Sequence, residues 1–212
     1  MSFADKVSSY NRARKWSRFL EIINPTSETR VLDVGVNAKE YSDVDNYMEK
    51  NYDWPEMITA LGINDLTAFQ ERYPKVKAVR YDGKYFPFVD KEFDLCWSNA
   101  VIEHVGGRDE QILFLKEIAR VARRGFITTP NRLFPIEVHT RTLLLHLLPK
   151  AAFDWYLSKV RKKWATGRYM SLLSKNDLKQ LLEAAGISNY RIIGNRLGLF
   201  CIDYIVVFES AE

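Results

Sequence analysis

Short apolar segments alternate with helical patterns along this chain, and that alternation restricts the available folds more than any other feature. The first segment, residues 30–35 (RVLDVG), is rich in β-branched residues and stops at a glycine, as a buried parallel strand does. Further segments of strand length begin at positions 57, 76, 93 and 126. Strands that alternate with helices form β-α-β units, so the sequence predicts a mainly parallel sheet.

The first helical pattern lies at the N-terminus. Residues 3–24 place apolar side chains at helical spacing, and Pro25 marks the end because proline cannot continue a helix. We therefore predict an N-terminal helix within residues 1–27. Its apolar face is expected to contain Phe3, Val7, Tyr10, Trp16, Phe19, Leu20 and Ile23, with Lys6, Arg12, Arg14 and Arg18 elsewhere around the helix.

Two later helices carry start and stop signals. One is predicted to begin after Asp109 and to close at residues 123–125 (RRG), because glycine commonly follows the last helical turn. The other is predicted to begin at Ser174, with Asp177 three residues on, and to end at Gly186.

Length and composition indicate one globular domain. The chain has 212 residues, of which 47% are hydrophobic and 27% charged, and this balance excludes a disordered chain. The last apolar segments, residues 187–193 and 199–208, are expected to pair as a hairpin. No segment has the pattern of a signal peptide or a membrane span, so we expect a cytoplasmic protein. A net charge of +4 does not by itself indicate nucleic acid or membrane binding.

Polar and glycine residues end four of the predicted strands. In a doubly wound sheet the ligand binds beyond the carboxyl ends of the strands, so these residues form the candidate site. They lie in residues 33–37 (DVGVN), 62–65 (GIND), 81–83 (YDG) and 97–100 (WSNA). No GxGxxG sequence follows the first strand, which argues against a dinucleotide oxidoreductase.

Together with residues 101–105 (VIEHV), this series resembles the class I S-adenosylmethionine-dependent methyltransferases. The resemblance covers about residues 30–130, and its most specific parts are VLDVG and FPFVDKEFDLCWSNAVIEHV. It implies an α/β fold with a doubly wound, Rossmann-like sheet of seven strands, mainly parallel with an antiparallel last strand, and helices on both faces. It also implies S-adenosylmethionine as the cofactor.

The resemblance assigns cofactor contacts to the residues that end the strands. At the ribose, Asn64 stands where the family usually has an acidic residue, and Asp65 follows it, so either is a candidate. The other implied ligands are Asp33 and Gly35 at the methionine end, Asn37 in the next loop, Asp82 and Gly83 at the adenine, and Ser98 and Asn99 beside the sulfonium.

The sequence departs from the family pattern in the loop after the first strand. The family has a glycine-rich E/DxGxGxG loop, whereas residues 33–39 are DVGVNAK and keep only the first glycine. We expect Asn37 to adopt a left-handed conformation and Lys39 to point away from the cofactor. Residues 40–55 form a longer stretch than the family norm, so the first crossover helix is expected to carry an extension.

Residues 132–172 are expected to form a helical acceptor-binding insertion, or lid, over the methyl-transfer site. The TPNR and PIExH sequences at its start resemble those of small-molecule and glycan methyltransferases. His139 is the predicted base that removes a proton from the acceptor, and Glu137 or Glu103 would orient its ring. His104 is the alternative base.

The remaining histidine, His146, lies in a leucine-rich stretch and is expected to be structural. The three histidines lack carboxylates at ligand spacing, so no metal site is predicted.

The insertion also combines apolar side chains with basic ones. Such a surface suits a lipid-linked or glycan acceptor, or peripheral contact with an anionic membrane, and a solvated helix face is the alternative. The basic residues concerned are Lys159, Arg161, Lys162 and Lys163, with Arg12, Arg14, Lys15 and Arg18 of the N-terminal helix.

These features predict an S-adenosylmethionine-dependent methyltransferase that methylates an oxygen of a small molecule, glycan or lipid-linked acceptor. The alternative function is a non-catalytic binding or scaffold protein that kept the fold while its cofactor loop changed. No nucleic acid partner is expected, since no basic stripe with interleaved aromatic residues is present.

Overall fold

The computed structural model of the protein describes residues 3–137, 140, 142–160, 162–167 and 170–210. Its helices are α1 (Phe3–Ile23), α2 (Tyr47–Asn51), α3 (Thr67–Arg72), α4 (Arg108–Val121), α5 (Lys150–Lys159) and α6 (Lys175–Ala184). Its strands are β1 (Val31–Val34), β2 (Ile58–Gly62), β3 (Lys77–Arg80), β4 (Phe93–Asn99), β5 (Ala122–Pro130), β6 (Ile136–Glu137), β7 (Thr142–Leu143), β8 (Tyr190–Leu197) and β9 (Phe200–Glu209).

In the described part of the chain, seven strands form the central sheet, in the order β3-β2-β1-β4-β5-β9-β8. The neighbours from β3 to β5 pair in parallel, whereas β9 is antiparallel to both β5 and β8. The predicted fold is therefore confirmed, including the antiparallel last strand. Strand order reverses between β1 and β4, and this is where a doubly wound sheet opens a crevice for a ligand.

Helices cover both faces of the sheet, because successive strand residues point to opposite sides. Leu32 and Val34 of β1 face the layer of α4 and α6, whereas Val31 faces the layer of α1, α2 and α3. Buried helix residues in the first layer include Phe114, Ile118, Leu178 and Leu181, and those in the second include Phe19, Ile23, Met48 and Phe69.

Helix α1 runs antiparallel to the parallel strands. At its end, Arg124 of β5 donates a hydrogen bond to the carbonyl of Ile23 at 3.2 Å. One turn earlier the ring of Phe19 lies 5.4 Å from that of Phe126. The N-terminal half of α1 therefore reaches the carboxyl ends of the strands.

The predicted faces of α1 need two corrections. Tyr10 and Leu20, predicted to be apolar contacts, are 56% and 42% exposed, because the helix packs through Phe19 and Ile23. Lys15, predicted to be part of a basic surface, is buried and forms an ion pair with Asp203 of β9 at 3.5 Å.

The predicted end of α4 is also wrong. The helix ends at Val121 and β5 begins at once with Ala122, so residues 123–125 are already in the sheet. Gly125 packs beneath an aromatic ring, since a Cβ there would lie 2.3 Å from ring atoms of Phe208. Close packing rather than helix termination accounts for this glycine.

The extended first crossover helix is another wrong prediction. Residues before α2 form turns, and α2 itself has five residues. By contrast, α6 begins as predicted: the Ser174 hydroxyl accepts a hydrogen bond from the Asp177 backbone, and Asp177 Oδ2 accepts one from the Ser174 backbone. Gly186 follows the helix with a φ of +81°.

The segment between β5 and α6 returns to the carboxyl edge where it began. A bridge joins Asn131 to Leu173, and the Ser171 backbone donates a 2.7 Å hydrogen bond to the carbonyl of Glu103. Within the segment, α5 helps to form a small separate core of Phe153, Leu157, Ala165 and Met170. In the described part of the chain no helix has the length and apolarity needed to cross a membrane.

Candidate active site

A cleft opens at the carboxyl edge of the sheet, between the ends of β1 and β4. The loop after β1, the start of α2 and the N-terminal half of α1 form its other walls. Of the predicted ligand-binding residues, this cleft brings together Asp33, Gly35, Asn37 and Asn99.

The loop after β1 begins at Gly35, whose φ of +97° favours glycine. A Cβ at this position would lie 2.3 Å from Cγ2 of Val101. The left-handed residue of the loop is Asn46, with a φ of 48°, so the prediction for Asn37 is wrong. The Asn46 side chain accepts a hydrogen bond from the Asn37 backbone and donates one to its carbonyl, both at 2.9 Å. This amide clamp holds the loop without the missing glycines.

The outer side of the loop is held by Glu40. Its carboxylate forms an ion pair with Lys50 at 3.1 Å and accepts a hydrogen bond from the Tyr73 hydroxyl. Lys39 points away from the cleft, as predicted, and its Nζ lies 5.5 Å from the centroid of the Tyr41 ring.

Asp33 lines the cleft, and the carboxyl group of Glu49 is its buried neighbour; both residues are 6% exposed. Burial raises the pKa of Asp33 well above its usual range, and Glu49 raises it further. Burial also raises the pKa of Glu49 to about 7. Neither carboxylate oxygen of Glu49 accepts a hydrogen bond from a donor among the described residues. The pair therefore holds a proton near neutral pH, and a bound cation would favour its loss.

The predicted ribose ligands lie at the end of β2, outside the wall of the cleft. Asn64 and Asp65 are both exposed there. One oxygen of Asp65 accepts hydrogen bonds from the backbone nitrogen and the hydroxyl of Thr67, at 2.8 and 2.6 Å. These bonds lower the pKa of Asp65, and they cap the first turn of α3.

The predicted adenine ligands follow β3, and they too lie outside the cleft wall. Asp82 is exposed, and its Oδ1 accepts a hydrogen bond from the Lys84 backbone at 2.9 Å. Gly83 has a φ of +86° and lies beside Ile63, which is 57% exposed. This edge therefore presents a carboxylate next to backbone and apolar surface. Groups of these kinds can contact an uncharged adenine ring.

The end of β4 carries polar groups close to the cleft. Ser98 is fully buried, and its hydroxyl has no hydrogen-bond partner among the described residues. Asn99 Oδ1 accepts a hydrogen bond from the Thr128 hydroxyl at 2.7 Å. Ala100 has a φ of 58°, a conformation that costs a non-glycine residue about 1–2 kcal/mol. Such backbone strain is often found at functional sites.

Comparisons with known proteins agree with this arrangement. Residues 33–127 match the family model described as a methyltransferase domain. The fold is similar to that of the CurJ carbon methyltransferase, with a TM-score of 0.61 and 12% identity over 95% of this chain and 54% of that one. Residues 33–127 thus match a methyltransferase domain, and the chain has the fold of S-adenosylmethionine-dependent methyltransferases.

Two other solved methyltransferases match over nearly their whole length. The S-adenosylmethionine-dependent methyltransferase from Methanosarcina mazei has a TM-score of 0.56 and 16% identity, over 90% of this chain and 96% of that one. The one from Aquifex aeolicus has a TM-score of 0.57 and 17% identity, over 91% and 88%. By contrast, this chain spans about half the length of the CurJ structure. No curated protein matches the chain by sequence.

The cleft of this methyltransferase domain fits S-adenosylmethionine at the end where the cofactor carries its amino acid group. The cleft wall carries the guanidinium of Arg12 and the carboxyl group of Asp33, which are charges suited to a carboxylate and an ammonium group. Gly35 lets the backbone approach closely. Asp33 and Gly35 would hold the amino acid end, and Ser98 and Asn99 would border the sulfonium.

The predicted bases fall mostly outside what the structure describes. His139 lies outside the described residues, as does the side chain of Glu137, whose backbone ends β6. His104 belongs to the short 3-10 helix Ile102–His104 after β4 and is half-buried. Glu103 is fully buried, and its Oε2 accepts a hydrogen bond from the Thr129 hydroxyl at 2.9 Å.

His146, expected to be structural, is held through one ring nitrogen, and its buried Nδ1 has no hydrogen-bond partner among the described residues. It is buried, and its Nε2 lies 2.9 Å from the carbonyl of Arg132. Among the described residues, no group of His, Cys, Asp and Glu side chains is placed to hold a metal ion.

Sequence reasoning missed three residues at or beside the cleft. Arg12 lines it, Lys15 is buried near Arg12, and Glu49 is buried next to Asp33. The spacing of Arg12 and Trp16, four residues apart, indicates a shared helix face. No comparable sequence signal distinguishes Glu49, which is flanked by a lysine in a short polar helix.

Proposed function

We propose that this methyltransferase transfers a methyl group to an oxygen of a small molecule, glycan or lipid-linked acceptor. When bound, S-adenosylmethionine supplies an electrophilic methyl group. The work left to the chain is to align the acceptor, to exclude water and to remove a proton from the attacking hydroxyl.

The observation that carries this proposal is the anchoring of the insertion, residues 132–172. Both of its ends lie beside the end of β4, through the Asn131–Leu173 bridge and the hydrogen bond from Ser171 to Glu103. An insertion held there is in position to cover an acceptor next to Ser98 and Asn99. Its described part includes α5 and its own small core.

We further propose His139 as the base and Glu137 as the group that orients it, with His104 as the alternative base. A hydroxyl acceptor needs such a group because its proton must leave as the new bond forms. His139 belongs to the insertion, and His104 follows β4 directly.

The proposal is tested by calorimetric titration with S-adenosylhomocysteine, followed by transfer of labelled methyl groups from S-adenosylmethionine to a panel of hydroxylated acceptors. His139→Ala should reduce turnover by about 100- to 10,000-fold and leave the Kd for S-adenosylhomocysteine unchanged. His104→Asn is the matched comparison. Loss of turnover in His104→Asn alone would assign the base to His104, and no binding by folded wild-type protein would favour a non-catalytic scaffold.

A surface next to the insertion favours the lipid-linked class of acceptor. The ring of Phe134 lies 6.4 Å from that of Phe200, so the start of the insertion adjoins the tip of the β8–β9 hairpin. Exposed lysines in and after α5 supply positive charge. The exposed apolar residues of these segments include Leu133, Ile136, Leu143, Leu144, Leu147, Leu148, Leu197, Leu199 and Phe200.

The basic part of the predicted membrane surface is smaller than expected, because α1 does not contribute as predicted. Lys15 is buried, Arg12 lines the cleft, and Arg14 donates a hydrogen bond to the Arg196 carbonyl. Arg18 forms an ion pair with Glu21 at 3.6 Å. The surface is therefore mainly apolar, with its positive charge near α5.

Vesicle sedimentation tests the membrane contact. We expect retention on vesicles that contain phosphatidylglycerol, and reduced retention for the double variant Leu199→Ser/Phe200→Ser. Val89→Ser is the control, since Val89 is 70% exposed but lies before β4, at the opposite edge of the sheet. Equal retention of both variants, or none for the wild type, would exclude this surface as a membrane contact.

A further inference from the structure

Helix α1 presents two polar stripes at the carboxyl edge of the sheet. Residues four apart lie on the same side of a helix, so Asn11 and Lys15 share one stripe while Arg12 and Trp16 share the next. The first stripe contacts β9, and the second contacts β4 and α2.

The first stripe anchors the helix. Lys15 forms its ion pair with Asp203 at 3.5 Å, and Asn11 donates a hydrogen bond to the same carboxylate. Asn195 of β8 donates a hydrogen bond to Asn11 at 2.6 Å. Asp203 and Asn195 are buried, and Asp203 lies at the end of β5, where it pairs with Pro130. These contacts therefore fix the axial position and the rotation of α1 at the carboxyl edge of the sheet.

The second stripe faces the cofactor cleft. The ring of Trp16 lies 5.8 Å from that of Trp97 and 5.9 Å from that of Tyr47, so it bridges β4 and α2. Arg12 is one helical turn nearer the edge and lines the cleft together with Asp33. Burial lowers the pKa of Arg12, and the carboxylates of Asp203, Asp45 and Asp33 oppose that effect.

Arg12 is available to a ligand. Within the described part of the chain, no hydrogen bond or ion pair joins its guanidinium to another side chain, although its neighbours on α1 are engaged. A partly buried guanidinium with open donors is suited to a carboxylate, which it can bind through two hydrogen bonds.

The loop after β1 leaves this task open. Backbone amides of a glycine-rich loop can bind an anion, but the amide of Asn37 already donates to Asn46 at 2.9 Å. The neighbouring Asp33 and Glu49 carry the charge that suits an ammonium and not a carboxylate. Arg12, which comes from outside the loop, places a positive group on the cleft wall beside Asp33.

We propose that Arg12 of helix α1 binds the α-carboxylate of S-adenosylmethionine while Asp33 and Glu49 receive its α-ammonium group. The proposal rests on the methyltransferase function described above and assigns residues to the amino acid end of that same site. In this arrangement α1 takes over part of the role of the missing glycines.

Two ligands that differ at the amino acid end test this assignment by calorimetric titration. S-adenosylhomocysteine carries both the carboxylate and the ammonium group, and 5′-methylthioadenosine carries neither. We expect Arg12→Gln to raise the Kd for S-adenosylhomocysteine about 10- to 100-fold, as for loss of a charged hydrogen bond, and to leave the Kd for 5′-methylthioadenosine within about twofold.

The control is Arg18→Gln on the same helix, where the arginine is exposed and paired only with Glu21 among the described residues. It should change neither Kd. Arg12→Lys keeps the positive charge but not the paired donors of the guanidinium, so it should raise the Kd for S-adenosylhomocysteine alone, and by less than Arg12→Gln does. If Arg12→Gln fails to fold, Arg12→Lys tests the assignment in its place.

Three outcomes separate the possibilities. An unchanged Kd for S-adenosylhomocysteine in Arg12→Gln and Arg12→Lys overturns the assignment but leaves the proposed function intact. An equal loss for both ligands also overturns it, because it indicates a general disturbance of the site. Failure of folded wild-type protein to bind either ligand would overturn the proposed function itself, and the assignment with it.

Discussion

At the scale of single residues, the site is governed by charges that the fold holds away from water. Asp33 and Glu49 lie together next to the cleft. The charge of Arg12 lowers the pKa of Asp33, whereas the charge of Glu40 raises the pKa of Glu49 and that of Lys50 lowers it. A buried acid with a raised pKa keeps its proton after the unfolded chain has lost it. Stability should therefore depend on pH through this pair.

The direction follows from the pKa of Glu49, raised from 4.5 to about 7. Between these values the folded protein binds more protons than the unfolded chain, so the free energy of unfolding falls as pH rises, by up to about 3 kcal/mol. Glu49→Gln should remove most of this decrease in the free energy of unfolding. Urea denaturation at pH 5 to 8 measures it, with exposed Glu56→Gln as control, and equal pH profiles for Glu49→Gln and wild type would contradict the prediction.

A second residue-scale prediction concerns Asp65, which caps α3 through Thr67. Asp65→Ala should lower the free energy of unfolding measurably, since two donors at the helix start lose their acceptor. The neighbouring exposed Asn64 makes a matched comparison, and Asn64→Ala should change stability by less than about 0.5 kcal/mol. Equal effects in denaturant titrations would show that Asp65 is not the cap.

At the scale of elements, local signals predicted some boundaries and tertiary packing decided others. The Ser174 capping box begins α6 because both halves of the signal are local in sequence. The end of α4 was mispredicted because the RRG signal at 123–125 is overridden by pairing with β4 and β9. The same limit applies to the site. The strand-end residues were predictable from topology, whereas the burial of Lys15 depends on Asp203, which is 188 positions away.

Gly125 supplies the prediction at this scale, because its missing Cβ leaves room for the ring of Phe208. Gly125→Ala should lower the free energy of unfolding by about 1–3 kcal/mol, the usual cost of overpacking a core. In a Phe208→Leu background the same change should cost about 1 kcal/mol less. A double-mutant cycle by chemical denaturation measures this coupling, and strictly additive effects would show that the ring does not oppose the added methyl group.

At the scale of the whole molecule, parts distant in sequence converge on one edge of the sheet. The start of α1, the loop after β1, the ends of β2, β3 and β4 and both ends of the insertion all meet there. Only the folded chain assembles these groups, so the unfolded chain should have no affinity for the cofactor. Cofactor binding must therefore stabilise the fold, by an amount that depends on the ligand concentration.

This linkage gives the prediction for the whole molecule. S-adenosylhomocysteine at about 100 times its Kd should raise the free energy of unfolding by about 2.7 kcal/mol, and therefore raise Tm by roughly 5–11 °C for a domain of this size. The shift should grow with the logarithm of ligand concentration, and guanosine at the same concentration serves as the control. If S-adenosylhomocysteine leaves Tm unchanged at millimolar concentration, the Asn46 clamp closes the loop against the cofactor and the fold serves another ligand. If both compounds raise Tm equally, the edge binds purine nucleosides without recognising the amino acid group that Arg12, Asp33 and Glu49 are placed to hold.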